Sequence, residues 1–491
     1  MASSQPNILL IMSDQHHAGV LGCAGDTAAD TPTLDALAAR GVRCASTYCP
    51  FPLCGPSRMS FMTGRHPYQL GIWDNSAELG SDVPTFAHAL HAGGYDTVLA
   101  GRMHFVGLDQ RHGFAQRILG DCPESAFLAA GWKLSRVLGD LTDTPGMHPN
   151  GLLKSGPGRT GYHAYDEMVT SAATTWLRQR PVGGRPFLLT VGYTSPHCPF
   201  IAPPEDFAHA AARIGLKDLP PWDAQVHPLS AARRRAFWTD PEPPVEARWR
   251  SRVAYYGLCR FLDRQIAAVL AALAASGQAD DTVVIYTSDH GEMLGEHGMW
   301  WKSTLYEGGA CVPLIAAGPS LARGLVVEIP VGLVDVAPTL SGLAGCAELP
   351  GGSGRSLLPL LRGEAVADRP VFCENVYSYD NAVSRMVRLG AWKLSLHHDH
   401  QPELYNLAED PGERRDRAAD PTCAEVLARL AKLARADGWD PEAIAVRMRR
   451  RPAEGALIGR WLSDVRPAEP DPLWFDQPPE NYFDPSPRPS P

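Results

Sequence analysis

Short apolar runs that alternate with helix-like segments are the feature that most constrains how this chain can fold. The first run, Asn7–Met12, is typical of a buried strand. Later, the helical segment Tyr165–Arg178 precedes the run Pro186–Val191, and the segment Ala247–Ser276 precedes the run Thr282–Thr287. Alternating strands and helices form a largely parallel sheet covered on both faces. The pattern therefore predicts an α/β fold, in which ligands bind at the carboxyl ends of the strands.

Further elements follow the same pattern as far as residue 365. A helix is predicted over Thr31–Arg40, with Thr31 as the N-cap and Pro32 in the first helical position. The remaining elements expected in this part of the chain are the helices Pro84–Ala92 and Val334–Ala344 and the strands Tyr95–Ala100, Val312–Ala316 and Val326–Val331. Together they predict one large sheet built from segments that lie far apart in the sequence.

Beyond residue 365 the alternation fades. Short strand-like runs there predict a smaller antiparallel sheet followed by a helix at Cys423–Ala436; the runs are Val371–Asn375, Arg385–Leu389 and Trp392–His397. Residues 466–491 hold nine prolines, too many for a regular helix or sheet, together with four aromatic residues. We expect a catalytic α/β domain at 1–365 and a smaller α+β domain at 366–465. The tail at 466–491 is expected either to stay unstructured or to dock on its own domain or on a neighbouring subunit.

Composition excludes several classes of protein. The 491 residues carry a net charge of −9, which argues against binding nucleic acid through a basic surface. No apolar run approaches the roughly 20 residues that span a bilayer, and the early strand leaves no room for an export signal. The eleven cysteines are scattered without a Cys-x-x-Cys pair, which argues against a zinc ribbon. We expect a soluble cytoplasmic protein with mostly reduced cysteines and no nucleic-acid or membrane partner.

Polar residues follow two of the predicted strands. Asp14 and Gln15 come after the first strand, and Asp289 and His290 come after Thr282–Thr287. Carboxylates that converge with a histidine make an oxygen-rich cation site. Taken singly, each aspartate is equally typical of a turn or a helix cap.

A cysteine lies close to a predicted helix start in the segment Cys54-Gly-Pro-Ser-Arg58. Pro56 is expected to begin a helix, with Cys54 just before its amino end, where free N–H groups and the helix dipole lower a thiol pKa. Arg58 and Arg65 are spaced to add positive charge around the thiol. The alternative is a buried structural cysteine beside a helix cap.

The same segment matches the Cys-x-Pro-Ser-Arg signature of the formylglycine-dependent sulfatases, within the alkaline phosphatase-like superfamily. Other segments appear in the order typical of that family: NILLIMSDQ at the start, AGRMHFVG (100–107), TSPHCPF (194–200), SDHGEMLGEHG (288–298) with Lys302, VDVAPTL (334–340), GRSLLPLLRG (354–363) and ELYNLAEDPGE (403–413). The chain thus resembles this family over nearly its whole length. The resemblance implies a large, mostly parallel sheet sandwiched by helices, and a smaller C-terminal domain with a short antiparallel sheet.

The resemblance also implies hydrolysis of a small-molecule sulfate monoester. A maturation enzyme would convert Cys54 to formylglycine, whose hydrated gem-diol supplies the nucleophile. The implied catalytic residues are Cys54, Arg58, Arg102, His104, His197 and Lys302. The implied ligands of one divalent metal are Asp14, Gln15, Cys54, Asp289 and His290, with calcium as the first expectation and manganese or magnesium as alternatives. His104 is expected to help deprotonate the nucleophile, and His197 and Lys302 to bind the sulfate and serve the leaving group.

Departures from the common pattern narrow the subfamily. Asp-Gln stands where arylsulfatases usually have Asp-Asp, Asp-His stands in place of Asp-Asn, and Arg102 stands in place of the usual lysine. The Asp-Gln form resembles choline sulfatases and phosphonate monoester hydrolases, so hydrolysis of phosphonate monoesters or phosphodiesters is the nearest alternative. A non-catalytic binding protein on the same fold is a second. Members of the choline sulfatase type also imply a homo-oligomer. Trp132, Trp300 and Trp301 are expected either to line the leaving-group pocket or to belong to the core.

Overall fold

The computed structural model describes residues 5–121, 147, 149–223, 226–377 and 382–465. The sequence predictions for Trp132 and for the tail at 466–491 lie outside these residues. The described strands, in chain order, are β1 Asn7–Asp14, β2 Val42–Tyr48, β3 Asp96–Gly101, β4 Gln116–Leu119, β5 Gly156–Pro157, β6 Phe187–Pro196, β7 Ile201–Ala202, β8 Thr282–Ser288, β9 Cys311–Ala317, β10 Leu325–Val327, β11 Val331–Gly332, β12 Val371–Val376, β13 Val383–Leu389, β14 Trp392–His397 and β15 Glu403–Asn406.

The main sheet is mostly parallel, as the alternation predicts. Its order is β10-β2-β9-β8-β1-β6-β3-β4, with β11 also paired to β2. β1 lies between β6 and β8 and is parallel to both, whereas β9 is antiparallel to its neighbours β2 and β8. In this register Ser13 pairs with Ser288 and Asp14 with Pro196. The sheet therefore brings the polar segments that follow three distant strands to one edge.

Helices cover both faces of this sheet because the side chains of its central strands are apolar on both sides. In β1, Leu10 belongs to a core that includes Phe61 and Leu340, and Leu9 belongs to a second core with Ile266. The described α-helices are Pro32–Ala39, Cys54–Thr63, Pro67–Leu70, Phe86–Ala92, Pro149–Leu153, Gly161–Gln179, Pro204–Ala211, Pro228–Ala236, Val245–Ala275, Glu307–Ala310, Val336–Ala344, Leu358–Leu361, Ala424–Leu433 and Pro441–Val465. None of the helices in the described ranges is long and apolar enough to cross a membrane.

The smaller sheet, β12-β13-β14-β15, is antiparallel throughout. Its first three strands match the three predicted runs. Val371, Cys373 and Met386 from this sheet belong to the main core, so the sheet packs directly against the larger one. The division of the chain at residue 365 stays a prediction.

Several local predictions differ from the structure. The predicted run Val326–Val331 forms two short strands, β10 and β11. Thr31 is the N-cap residue, but its side chain makes no capping bond. The carboxylate of Asp263 instead accepts hydrogen bonds from the backbone N–H groups of Thr33 at 3.0 Å and Leu34 at 2.9 Å. A side chain from a distant helix thus satisfies donors that sequence reasoning assigned to the local residue.

Candidate active site

The predicted site residues converge at the carboxyl edge of the main sheet. Ligand atoms of Asp14, Cys54, Asp289 and His290 all lie within 4.8 Å of one another. All four residues are fully buried. The structure therefore brings together the two polar segments after β1 and β8 and the cysteine that we singled out independently of them.

Cys54 is the first residue of helix Cys54–Thr63, not the residue before it. Ser57 N–H donates to the Leu53 carbonyl at 3.1 Å, which starts the helix two residues earlier than Pro56 predicts. The helix is buried along its whole length. Its amino end therefore places the Cys54 side chain directly at the sheet edge, with the positive end of the helix dipole behind it.

Side-chain ligand atoms of three residues lie close around the Cys54 sulfur. Asp14 Oδ1 lies 3.6 Å from Cys54 Sγ and 3.6 Å from His290 Nε2. Asp289 Oδ1 lies 3.7 Å from the same imidazole nitrogen. The same imidazole nitrogen lies 3.2 Å from Cys54 Sγ, so the four ligand atoms converge on one point, as they would around a cation. Two carboxylates and one imidazole form a donor set that fits a divalent ion.

Arg58 fixes both carboxylates. Its Nε donates to Asp289 Oδ2 at 2.9 Å, its Nη2 to Asp14 Oδ2 at 3.1 Å, and its Nη1 to the Arg102 carbonyl at 3.1 Å. Burial raises the pKa of the Asp14 carboxyl, but the charges of Arg102 and Arg58 outweigh burial and hold that pKa well below its usual range. The Oδ2 atoms are thus held by guanidinium groups, while each Oδ1 lies near the His290 imidazole.

Arg102 links three groups through its planar fork. Its Nε donates to Asp14 Oδ2 at 2.7 Å, its Nη1 to Asp121 Oδ1 at 3.4 Å, and its Nη2 to His104 Nδ1 at 2.9 Å. Because arginine has only donors, His104 accepts at Nδ1, and the neutral ring then carries its proton on Nε2. A lysine ammonium does not reproduce this three-way geometry.

Two site residues have left-handed backbone conformations that carboxylates hold in place. Gln15 has φ 71° and His104 has φ 60°, values that are unusual for residues other than glycine. The Gln15 N–H donates to Asp289 Oδ1 at 3.0 Å, and the His104 N–H donates to Asp121 Oδ2 at 2.6 Å. Asp121 therefore positions both His104 and Arg102, and sequence reasoning did not identify it.

Lys302 reaches the cysteine from the opposite side. Its Nζ donates to Cys54 Sγ at 3.2 Å, to His197 Nε2 at 2.7 Å and to Gln15 Oε1 at 2.9 Å. Burial raises the pKa of the Cys54 thiol, but the charges of Lys302 and His290 outweigh burial and bring that pKa well below its ordinary value. The cysteine thus sits in an electropositive pocket.

The Gln15 amide is turned towards Lys302 by a buried glutamate. Gln15 Nε2 donates to Glu292 Oε2 at 2.5 Å, so the amide oxygen faces the lysine. Glu292 Oε1 also accepts from the backbone N–H groups of Leu294 at 3.1 Å and Trp301 at 2.6 Å. Glu292, like Asp121, was given no role in the sequence analysis. Its position within the segment SDHGEMLGEHG is the signal that could have identified it. Gln15 as a metal ligand stays a prediction.

Other predicted residues lie outside the site. Arg65 Nη2 donates to the Pro350 carbonyl at 2.8 Å, so it adds no charge around Cys54. Trp300 and Trp301 are buried in a core with Phe200, which is the core alternative of the two expectations. The Trp300 and Lys302 carbonyls accept from Arg233, a buried residue of helix Pro228–Ala236. This helix thus supports the loop that carries Lys302.

Comparison with known proteins agrees with this geometry. The family described as Sulfatase matches residues 6–346, and the family described as N-sulphoglucosamine sulphohydrolase, C-terminal, matches residues 295–436. A choline-sulfatase from Rhizobium meliloti (strain 1021) is 34% identical over 480 residues, covering 94% of this chain and 91% of the relative. Arylsulfatase K from Danio rerio is 27% identical over 445 residues, covering 84% of this chain and 80% of the relative.

A solved structure with the same fold is the phosphonate monoester hydrolase from Silicibacter pomeroyi. It superposes with a TM-score of 0.73 and 27% sequence identity, covering 87% of this chain and 94% of that one. The large mixed sheet with helices on both faces and the separate four-stranded sheet are therefore those of an alkaline phosphatase-like enzyme. The fold expected from the sequence is confirmed.

Proposed function

This chain belongs to the sulfatase family and is a sulfuric ester hydrolase, and we propose that it cleaves a sulfate monoester of a small organic or aryl alcohol through a nucleophile derived from Cys54. One observation carries the proposal. The Cys54 sulfur, at the amino end of a buried helix, contacts Lys302 on one side and faces the Asp14, Asp289 and His290 ligand atoms on the other. A nucleophile, a cation and a metal-ligand set converge on one point, as metal-assisted hydrolysis requires.

The nucleophile is formylglycine, formed from Cys54 by a maturation enzyme. Its hydrate has two hydroxyl groups on one carbon: the first attacks sulfur and releases the alcohol, and the second loses its proton to expel sulfate and restore the aldehyde. A serine in this position would be left as a stable sulfate ester. Two features support this proposal: the lowered pKa of the Cys54 thiol, which favours its oxidation, and the helix amino end, which stabilises negative charge at this position.

The residues around Cys54 fit one divalent metal. Asp14, Asp289 and His290 would hold it with the Cys54-derived oxygen, and Gln15 would join if its amide turned away from Lys302. When bound, the ion supplies a Lewis acid next to the sulfate oxygens. Calcium remains our first expectation, while the imidazole nitrogen of His290 favours manganese among the alternatives.

Each remaining residue has a role that its contacts support. Arg58 holds both carboxylates and stabilises charge on the nucleophilic hydroxyl. Lys302 donates to the sulfate oxygens and, with His197, serves the leaving alcohol as a proton source. The resemblance implied that His104 helps to deprotonate the nucleophile. Because Arg102 occupies its Nδ1 at 2.9 Å, we propose instead that His104 positions the nucleophile by donating from Nε2.

Phosphonate monoester hydrolysis is the second candidate. It is supported by the fold of the Silicibacter pomeroyi hydrolase, whereas the Asp-Gln and Asp-His pairs are common to both candidates and do not separate them. The test compares kcat/KM for an aryl sulfate, choline O-sulfate, an aryl phosphonate monoester and an aryl phosphodiester. A preference for either sulfate supports the proposal, and a clear preference for the phosphonate or phosphodiester overturns the substrate class.

A non-catalytic protein on the same fold is tested by intact mass. The chain, expressed with a competent maturation system, should carry an aldehyde at position 54, and Cys54→Ala should abolish turnover without changing the thermal unfolding midpoint. The matched control, Cys346→Ala, removes a partly exposed cysteine outside the site and should keep both the aldehyde and turnover. A thiol retained at Cys54 would contradict the enzymatic mechanism.

A further inference from the structure

A second cluster of metal-type ligands lies outside the active site. Ligand atoms of His227, His397 and Glu403 all lie within 4.8 Å of one another. His227 precedes helix Pro228–Ala236, while His397 ends β14 and Glu403 begins β15. His397 and Glu403 are buried, and His227 is half-buried. The proposed hydrolysis does not use any of the three.

The three donors lie close enough for side-chain movements to bring them around one ion. His397 Nε2 and Glu403 Oε2 are hydrogen-bonded at 3.0 Å, a contact that the ion would replace, and the rings of His227 and His397 stack with centroids 4.8 Å apart. Neighbouring ligands of a tetrahedral zinc ion, at about 2.0–2.1 Å from the metal, lie roughly 3.3 Å apart. Small side-chain movements would therefore close this set around an ion.

Outer partners orient each donor, as they do in established metal sites. Ser384 Oγ lies 2.7 Å from His397 Nδ1. Tyr306 and Tyr405 hydroxyls donate to Glu403 Oε1 at 2.6 Å and 2.8 Å. One oxygen of Glu403 is thereby fixed, and the other is aimed at His397.

The His227 ring is held by backbone at both of its edges. Its Nε2 lies 3.0 Å from the Gln401 carbonyl, and its Nδ1 accepts from the Leu229 N–H at 3.3 Å. A bound ion would take the place of one of these two bonds. Its other edge would remain tied to the backbone, which fixes the direction in which the ring presents its lone pair.

The cluster has a route to solvent through a histidine-rich tract. Residues 397–401 read HHDHQ, and short histidine-rich tracts commonly bind metals. His400 is exposed, and its ring centroid lies 6.3 Å from that of His227. An ion entering past His400 would reach the half-buried His227 first.

We propose that His227, His397 and Glu403 form a second binding site, for a divalent transition-metal ion of the zinc type. Two imidazoles and one carboxylate are ligands that zinc prefers, whereas calcium prefers oxygen ligands alone. The ion would tie helix Pro228–Ala236 to the β14–β15 hairpin. Because Arg233 of that helix holds the loop of Lys302, the site stabilises the fold next to the active site without touching the substrate.

Cobalt(II) serves as the probe, because its visible absorption is intense only in a tetrahedral-type site. The full chain, purified without a histidine tag and treated with chelator, is titrated with Co²⁺ and then with Zn²⁺. We expect Asp289→Ala, in which the active-site metal set is broken, to take up one equivalent of Co²⁺ with visible bands that Zn²⁺ abolishes, and Zn²⁺ to raise its thermal unfolding midpoint. In that background His397→Gln should lose both responses, and Glu403→Gln provides the same test if the first variant does not fold.

The Asp289→Ala background and one further control separate this site from the active site. Asp289→Ala removes an active-site ligand, so its bands come from the second site. In the same background, His398→Gln changes a neighbouring histidine of the same tract and should keep the bands. Absence of bands in Asp289→Ala, or their retention in His397→Gln and Glu403→Gln, would overturn the proposal. None of these outcomes bears on whether the chain hydrolyses a sulfate ester.

Discussion

Replacing Arg102 by lysine tests how this site departs from the usual family pattern. The substitution keeps one positive charge but removes the planar fork. Lysine can keep the 2.7 Å contact to Asp14, yet it cannot at the same time reach Asp121 and His104. The carboxylate of Asp121, which is 1% exposed, would lose one ionic partner, and the His104 ring would lose the donor that fixes its tautomer.

The expected loss follows from the two contacts that disappear. A hydrogen bond to a charged group contributes about 1.5–3 kcal/mol. The 2.9 Å contact to His104 and the 3.4 Å contact to Asp121 are both counted at the low end of this range. A combined loss of about 3 kcal/mol corresponds to a decrease in kcat/KM of roughly 100-fold, since each 1.4 kcal/mol is about tenfold.

The assay measures kcat/KM with an aryl sulfate for four proteins: wild type, Arg102→Lys, Asp121→Asn and the double variant. If Arg102 and Asp121 act as a unit, the kcat/KM of the double variant should be nearly the same as that of the less active single variant. Arg40→Lys, an exposed residue at the end of helix Pro32–Ala39, is the matched control and should be unchanged. Activity of Arg102→Lys within threefold of the wild type, or fully multiplicative losses, would refute the argument.

Three further predictions concern the metal, the Gln15 amide and pH. Asp289→Ala should lose the active-site metal and nearly all turnover, measured by elemental analysis and kinetics on the same sample; full metal content would contradict its role as a ligand. Glu292→Gln frees the Gln15 amide and should lower kcat/KM by about tenfold, the value of one charged hydrogen bond; an unchanged kcat/KM would argue against positioning. Burial raises the pKa of the Glu374 carboxyl from 4.5 to about 8, so between these values the folded chain binds more protons than the unfolded chain and its stability falls as pH rises. Glu374→Gln should therefore remove a decrease in unfolding free energy on the order of 5 kcal/mol, seen as a melting temperature that falls less between pH 4.5 and 8 than that of the wild type; a parallel decrease in both proteins would exclude Glu374 as its source.

The part of the fold that could be predicted from sequence is the part with continuous apolar runs. β1 and β8 are buried on both faces, so each contains a continuous apolar run, at 8–12 and 283–286. β2 has the sequence VRCASTY and was not predicted, because its small and polar residues do not form an apolar run. It lies in the sheet because β9, β10 and β11 supply its hydrogen-bonding partners. Helix Pro441–Val465 contains Pro452 and many arginines and was also not predicted.

The residues of the candidate site likewise divide into those that the sequence could identify and those that it could not. Residues within a short motif could be found, because Cys54 and Arg58 are four positions apart on one helix. Asp121 could not be found, since it acts on His104 and Arg102 through a contact that only the folded chain creates. The Nδ1 contact of His104 likewise depends on three-dimensional geometry, and it changes the role that the motif alone implies.

The charge of the site is compatible with both sulfate monoesters and phosphonate monoesters, so another property of the substrate has to distinguish the two classes. Counted as ionised, the buried acids Asp14, Asp121, Asp289 and Glu292 outnumber the cations Arg58, Arg102 and Lys302 by one. A divalent ion makes the sum of these groups positive, which suits an anion, and sulfate monoesters and phosphonate monoesters are both monoanions. They differ in that sulfate presents three peripheral oxygens, whereas the phosphonate presents two oxygens and a carbon. A charged donor facing the third oxygen favours sulfate by about 1.5–3 kcal/mol, or roughly 10- to 100-fold. We predict that Lys302 is that donor, so its replacement by methionine should reduce turnover of the sulfate far more than that of the phosphonate.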